Sequence, residues 1–190
     1  MMIHPSFPCR HALSQARVID MGLEIERKFL VKGDAWRAQA APVPYAQGYI
    51  SRGTGHTVRI RIAGDEAFLT IKGPVLGISR SEFEYPIPLT DAQELLQLCE
   101  GPIIEKNRTK VFDSGHLWEI DEFGGANSGL IVAEVELTTA NEEVSLPSWI
   151  GKEVTNDPRY YNSNLTVHPF SSWCNESESC KTTTHHVLHS

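Results

Sequence analysis

The stretch LEIERKF places Leu23, Ile25 and Phe29 on one parity and Glu24, Glu26 and Lys28 on the other. A period of two marks a strand with one apolar and one polar face, and in a single strand it describes an antiparallel edge wetted on one side. Other strands repeat the pattern. Arg59 and Arg61 alternate with Val58, Ile60 and Ile62, and Lys72 follows Thr70 on the parity opposite Leu69 and Ile71. Glu82 and Glu84 alternate with Phe83 and Tyr85, Lys106 shares a parity with Arg108 and Lys110, Glu119 with Asp121, and Glu134 and Glu136 alternate with Val135 and Leu137. A solvated face mixes Ser, Thr, Gln and both charge signs within one strand. Here the signs are largely sorted by strand, which favours an enclosed site over a surface.

The chain between the tails reads as one α+β domain of short strands and few helices. HTVRIRIA (56–63) and EAFLTIKG (66–73) flank Gly64 and Asp65, a hairpin signal, and a second tight hairpin centres on Ser114 and Gly115. Further strands are SRSEFEYPI (79–87), IEKNRTKVFD (104–113), HLWEIDEF (116–123) and GLIVAEVEL (129–137). The spacing predicts a helix over 90–99, with Thr90 or Asp91 as N-cap and Gln93 or Glu94 completing a capping box. A short helix is expected over 34–39 and another from Asp157, with Pro158 in its first turn.

Composition narrows the partners. The 190 residues carry a formal charge of -7, which argues against general affinity for nucleic acid or anionic membrane. No run approaches the roughly 20 apolar residues of a membrane-spanning helix. Cys9, Cys99, Cys174 and Cys180 share no short metal-ligand spacing, and a reducing, cytoplasmic setting is expected. Residues 1–20 lack the apolar core of a secretory signal and read as a disordered extension, with Met21 as an alternative start. The polar segment 169–190 reads as a tail; its Cys174, Cys180, His185, His186 and His189 are read as tail composition rather than a metal site.

Charge sorting also narrows the ligand. A closed sheet of about eight strands leaves a lumen wide enough for side chains or one small ligand. Arginine and lysine in that lumen would hold a polyanion, and clustered carboxylates would hold divalent ions against it. The two together match a metal-chelated polyphosphate. Lys110 and Glu119 fit lumen or solvent equally. Arg27 and Glu105 have the parity opposite their neighbours and fall outside the site; His56 and His116 sit beside turns, and Trp36, Trp118 and Trp149 read as packing groups.

These segments, with QGYI (47–50), EKNRTK (105–110) and EVTNDPRYYN (153–162), resemble the CYTH superfamily, the triphosphate tunnel metalloenzymes, and most resemble its short bacterial inorganic triphosphatases. The resemblance covers residues 22 to about 165 and implies a domain over 21–168 built as a closed eight-stranded antiparallel β-barrel, a tunnel flanked by helices. It implies hydrolysis of inorganic triphosphate with Mg²⁺ or Mn²⁺. Metal ligands would be Glu24, Glu26, Glu134 and Glu136, assisted by Asp121. Lys28, Arg59, Arg61, Lys72, Lys106 and Arg108 would hold phosphate oxygens, and Glu84, with Glu82, would orient the cations or a second metal. Tyr49 matches a position suggested as proton acceptor, although a phenol with its ordinary pKa of about 10 is a poor base at neutral pH. Other activities of the same fold are class IV adenylyl cyclase and thiamine or nucleoside triphosphatase; a non-catalytic polyphosphate binder is the remaining alternative. A monomer or homodimer is expected. The chain departs from the family where Pro169 follows SNLTVH, a stop to any long final helix.

Overall fold

The reversals in the chain fall where turn chemistry allows them. Gly64, with φ 59°, joins β3 (His56–Ala63) to β4 (Glu66–Lys72), and Ser114 and Gly115, with φ 51° and 84°, join β7 (Ile104–Asp113) to β8 (His116–Phe123). Two successive left-handed residues are what a tight I′-type hairpin requires. The computed structural model describes residues 23–53 and 55–173. Its other strands are β1 (Glu24–Val31), β2 (Val43–Gly53), β5 (Ser79–Arg80), β6 (Glu82–Pro86), β9 (Ile131–Glu136) and β10 (Ile150–Glu153). Helix α1 (Leu89–Gln97) follows β6 and α2 (Asn162–Leu165) follows β10.

All strand pairs are antiparallel, in the order β10-β1-β9-β8-β7-β2-β3-β4-β6, with β5 pairing β1 separately. The expected eight-stranded closed barrel is therefore corrected to ten strands whose ladder path is not closed. The run 79–87 divides at Ser81: β6 pairs β4 through Lys72↔Glu82 to Phe68↔Pro86, whereas β5 meets β1 only through Glu24↔Arg80 and Ile25↔Ser79. The second half of β1 takes β10 instead, through Phe29↔Glu153 and Val31↔Ile150.

Apolar residues of the opposite parity pack away from the charged face. Phe29, Trp118 and Trp149 stack edge to face at 5.7 and 5.6 Å, within a core that includes Trp36, Ile120, Val135 and Ile150. Helix α1 covers Ile60 and Ala67 with Ala92, Leu95 and Leu96. It starts at Leu89 after an extended Pro88, and no side chain caps it, so the expected capping box at Thr90 or Asp91 does not form. Residues 34–39 make turns rather than a helix, with Arg37 N–H donating to Asp34 O and Gln39 N–H to Trp36 O, because Trp36 is drawn into the core. The expected helix at Asp157 is a single 3₁₀ turn, Pro158–Tyr160, with the Asp157 side chain accepting from Arg159 N–H.

The chain continues past Pro169 in packed form. Residues 170–173 are helical, Phe170 N–H donates to Asn127 Oδ1 at 2.9 Å, and Phe170 and Trp173 pack on Ile104, Phe123, Leu130 and Leu165. The domain edge expected at residue 168 falls inside this cluster. The expected extension 1–20 with Cys9 and Met21, and Cys174, Cys180, His185, His186 and His189, lie outside the described residues.

Gly48 fixes how closely the segment after α1, with Cys99 and Ile103, approaches the sheet. A Cβ there would sit 2.7 Å from Cys99 Sγ and from Ile103 Cδ1. We therefore expect Gly48→Ala to destabilise the protein by about 1–3 kcal/mol in urea unfolding, the usual cost of overpacking.

Candidate active site

Strand parity delivers the charged residues to one face, and curvature brings that face to meet itself. β4 and β1 are not ladder neighbours, yet Lys72 Nζ donates to both Glu24 oxygens, at 2.8 and 3.0 Å. Along β1, Lys28 Nζ bonds Glu134 and lies 3.8 Å from Glu26. Arg59 and Arg61 both reach Glu84, at 3.5 and 2.8 Å, and Thr70 Oγ1 donates to the same carboxylate at 2.9 Å. Arg59 also stands 3.8 Å from Glu82, which accepts from Lys72 at 2.9 Å. Lys106 bonds Asp121, and Arg108 bonds Asp121, Glu134 at 2.9 Å and Glu119. These contacts gather the charged residues on one face; Glu136, the Cα partner of Glu26, stands at its exposed margin, and Tyr49 is the Cα partner of Arg59.

Lys28, Arg59, Lys72, Lys106, Arg108 and Asp121 are buried. Buried ion pairs add little net stability, because desolvation consumes most of their attraction, so packing alone gives no reason for so many. Arg27 lies outside, held by Glu153 at 2.7 Å. Lys110 is half exposed and pairs with Glu119 at 2.8 Å. His116 turns to Glu142, away from the charged face.

The charges divide into two regions that are each short of their counter-ion. In one, burial and then the like charge of Arg59 push the Arg61 guanidinium below its ordinary value, and burial and then Arg108 push Lys106 down to about 8 despite Asp121. The Nε–H groups of Arg59 and Arg61 are buried there without a hydrogen-bond partner among the described residues. In the other, burial and then Glu24, Glu119 and Glu26 raise Glu136, and burial with the adjacent Glu24 raises Glu82 to about 7. Between them pairing wins: burial opposes ionised Glu24, Glu134 and Asp121, but Lys72 and Arg80, Lys28 and Arg108, and Arg108 and Lys106 respectively hold them below the usual range. Lys28 is raised, with Glu134 and Glu26 outweighing burial.

A region of crowded, donor-bearing cations calls for an anion, and a region of crowded carboxylates calls for a cation. The carboxylates supply hard oxygen donors, which suit Mg²⁺ or Mn²⁺ in type. Among the described residues, no three His, Cys, Asp or Glu side chains are gathered in a metal-holding group. Lysines and arginines stand between the carboxylates instead.

Tyr49 is buried and its hydroxyl accepts from Gln47 Nε2 at 3.2 Å; burial raises its pKa, which disfavours the phenolate that a proton acceptor would need. Sequence reasoning missed Arg80, whose Nε donates to Glu24 Oε2 at 2.5 Å. The signal was present, since Arg80 shares its parity with Glu82 and Glu84. Gln47 and Thr70, both fully buried on this face, were passed over because they carry no charge.

The family model described as CYTH domain matches residues 22–166. An inorganic triphosphatase of Acetivibrio thermocellus is 51% identical over 154 residues, 80% of this chain and 99% of that protein. One of Nitrosomonas europaea is 38% identical over 148 residues, 76% of this chain and 97% of that protein. A crystal structure of an inorganic triphosphatase superposes with TM-score 0.56 at 35% identity, covering 76% of this chain and 94% of that one. A Pyrococcus horikoshii protein, 16% identical with TM-score 0.50, covers 62% of this chain and 80% of its own, and shares the fold alone. The charge-lined antiparallel sheet and the family match over most of its length lead to one assignment: the chain belongs to the CYTH domain family.

Proposed function

We propose that the protein hydrolyses inorganic triphosphate to diphosphate and phosphate with Mg²⁺ or Mn²⁺, inside a tunnel formed where residues 79–86 bridge β4 and β1. The observation that carries this reading is the division of one charged face into a buried, cation-rich part, where the Nε–H groups of Arg59 and Arg61 have no partner among the described residues, and a more open, carboxylate-rich part in which Glu24, Glu26, Glu82 and Glu136 stand together. Triphosphate with a divalent ion answers both needs at once, and the names of the two relatives support the choice of substrate.

In this reading Arg59, Arg61, Lys72, Lys106, Arg108 and Lys28 hold the phosphate oxygens, and Glu24, Glu26, Glu134 and Glu136, with Asp121, hold the metal. Glu84 orients Arg59 and Arg61, as its bonds to both indicate. When bound, the divalent ion polarises phosphoryl oxygen and lowers the pKa of water. The chain's part is positioning and charge: the cations keep the terminal phosphorus in line with the attacking water and stabilise the negative charge that passes to diphosphate as the P–O bond breaks. Tyr49 serves as a hydrogen-bonding wall of the site rather than as a base. A small polyphosphate is the substrate rather than nucleic acid, in keeping with the net charge of -7.

Purified protein offered triphosphate, ATP, thiamine triphosphate and diphosphate with Mg²⁺ or Mn²⁺ should release phosphate chiefly from triphosphate and form no cyclic AMP. Tight triphosphate binding without turnover would instead make it a binding protein. Glu24→Gln and Arg59→Ala should each lower kcat/KM by about 100-fold or more, the scale of losing one preorganised charge contact, with the circular dichroism spectrum kept.

The raised Glu82 also makes stability depend on pH. Glu82 is raised from 4.5 to about 7 in the folded protein, so between these values the folded state binds more protons than the unfolded one. Its contribution is complete below the unfolded value and is lost as pH rises through the folded one; raised Glu136 acts in the same direction. The melting temperature of ligand-free protein should therefore fall between pH 5.5 and 7.5 by a component that Glu82→Gln removes. A melting profile of the variant parallel to that of the wild type would refute this.

A further inference from the structure

Arg80 stands at the seam on the parity of Glu82 and Glu84, and the functional reading above gives it no role. It is the Cα partner of Glu24 across the two-pair ladder between β5 and β1. Its Nε donates to Glu24 Oε2 at 2.5 Å, and its Nη2 lies 3.7 Å from Glu26 Oε1. Lys72 occupies the remaining side of Glu24 and bridges to Glu82 at 2.9 Å. We infer that Arg80 is a displaceable counter-ion: in the free protein its guanidinium holds Glu24 and Glu26, and when a divalent ion takes those carboxylates the guanidinium turns onto the triphosphate, so that ion and triphosphate bind as a pair. This rests on the metal-dependent triphosphatase reading above.

Three observations support it. A carboxylate oxygen facing a guanidinium at hydrogen-bond distance cannot offer the same lone pair to a metal. Arginine cannot shed its charge by losing a proton, so a guanidinium driven off Glu24 in a half-buried seam must find another anion, and a phosphate oxygen suits its planar fork. The Arg80 side chain is 24% exposed, against 5% for Lys28, so it has room to turn where its neighbour does not. A purely structural role is not needed, because the backbone already fastens β5: Glu24↔Arg80 and Ile25↔Ser79 pair, and Glu26 N–H donates to Ile78 O at 3.3 Å.

Calorimetric titrations on the full chain separate the two roles. With Mn²⁺ alone, Arg80→Gln should bind the ion more tightly than wild type, by on the order of tenfold, since a positive charge beside the ligands is gone. With saturating Mn²⁺ and the non-hydrolysable imidotriphosphate, the same variant should bind the analogue about tenfold more weakly. Arg80→Lys, which keeps the charge but can reach only one carboxylate, should fall between wild type and Arg80→Gln in both titrations. Mn²⁺ affinity that is unchanged or reduced in Arg80→Gln overturns the proposal and leaves a structural staple. Should Arg80→Gln fail to fold, Arg80→Lys decides, and values equal to wild type in both titrations overturn the proposal. Turnover of triphosphate by the wild type is measured alongside: its absence refutes the functional reading itself, whereas wild-type turnover with no gain in Mn²⁺ affinity refutes only the role of Arg80.

Discussion

The cost of burying charge organises this molecule. Lys28, Lys106, Arg108 and Asp121 could not be withdrawn from water singly, so each must meet an opposite charge, and pairs such as Arg108 with Glu134 and Lys72 with Glu24 span strands that are not ladder neighbours. An antiparallel sheet satisfies such pairs only by curving until one face meets itself. The apolar parity is then turned outward, where it must be covered, and Trp36, Trp149, α1 and the 162–173 segment provide that cover. The usual arrangement, with apolar side chains between layers and charges outside, is therefore shared between two sides of a single sheet.

The same pairing leaves the site poised. Where pairing is complete, as at Glu134 between Lys28 and Arg108, the groups are held in their charged forms. Where it is incomplete, like charges press on one another, as at Arg61 beside Arg59 and at Glu136 beside Glu24. A ligand carrying both signs relieves both kinds of crowding without any new protein charge. That is a selective condition: a simple anion would relieve the first and aggravate the second.

Much of this was legible in strand parity. Glu24, Glu26, Lys28, Arg59, Arg61, Lys72, Glu84, Lys106, Arg108, Asp121, Glu134 and Glu136 could be placed on one face because a period of two depends on local geometry alone. Arg80 shares the parity of Glu82 and Glu84, but its contact with Glu24 was not legible, because it belongs to a two-residue strand beyond Ser81 that pairs β1 rather than β4. The open ladder was also illegible: where a run divides between two neighbours depends on sheet curvature, a property of many strands at once. Phe170 and Trp173 were hidden in a polar composition, although two aromatics among few are enough to anchor a short segment once Asn127 accepts its backbone N–H. The missed capping box at Thr90 has a similar cause, since Pro88 lets the helix begin a residue before the side chains that could cap it.

The division at Ser81 changes the mechanics of the rolled sheet. A hoop resists a change of girth with every ladder around its circumference, whereas a strip rolled on itself resists only as firmly as its fastening. Here that fastening is two residue pairs, the bond from Glu26 N–H to Ile78 O, and the bond of Lys72 to Glu24. The approach of β1 to β4 is thus governed in part by side chains of the charged face, and whatever competes for Glu24 also loosens the join between the two ends of the rolled sheet.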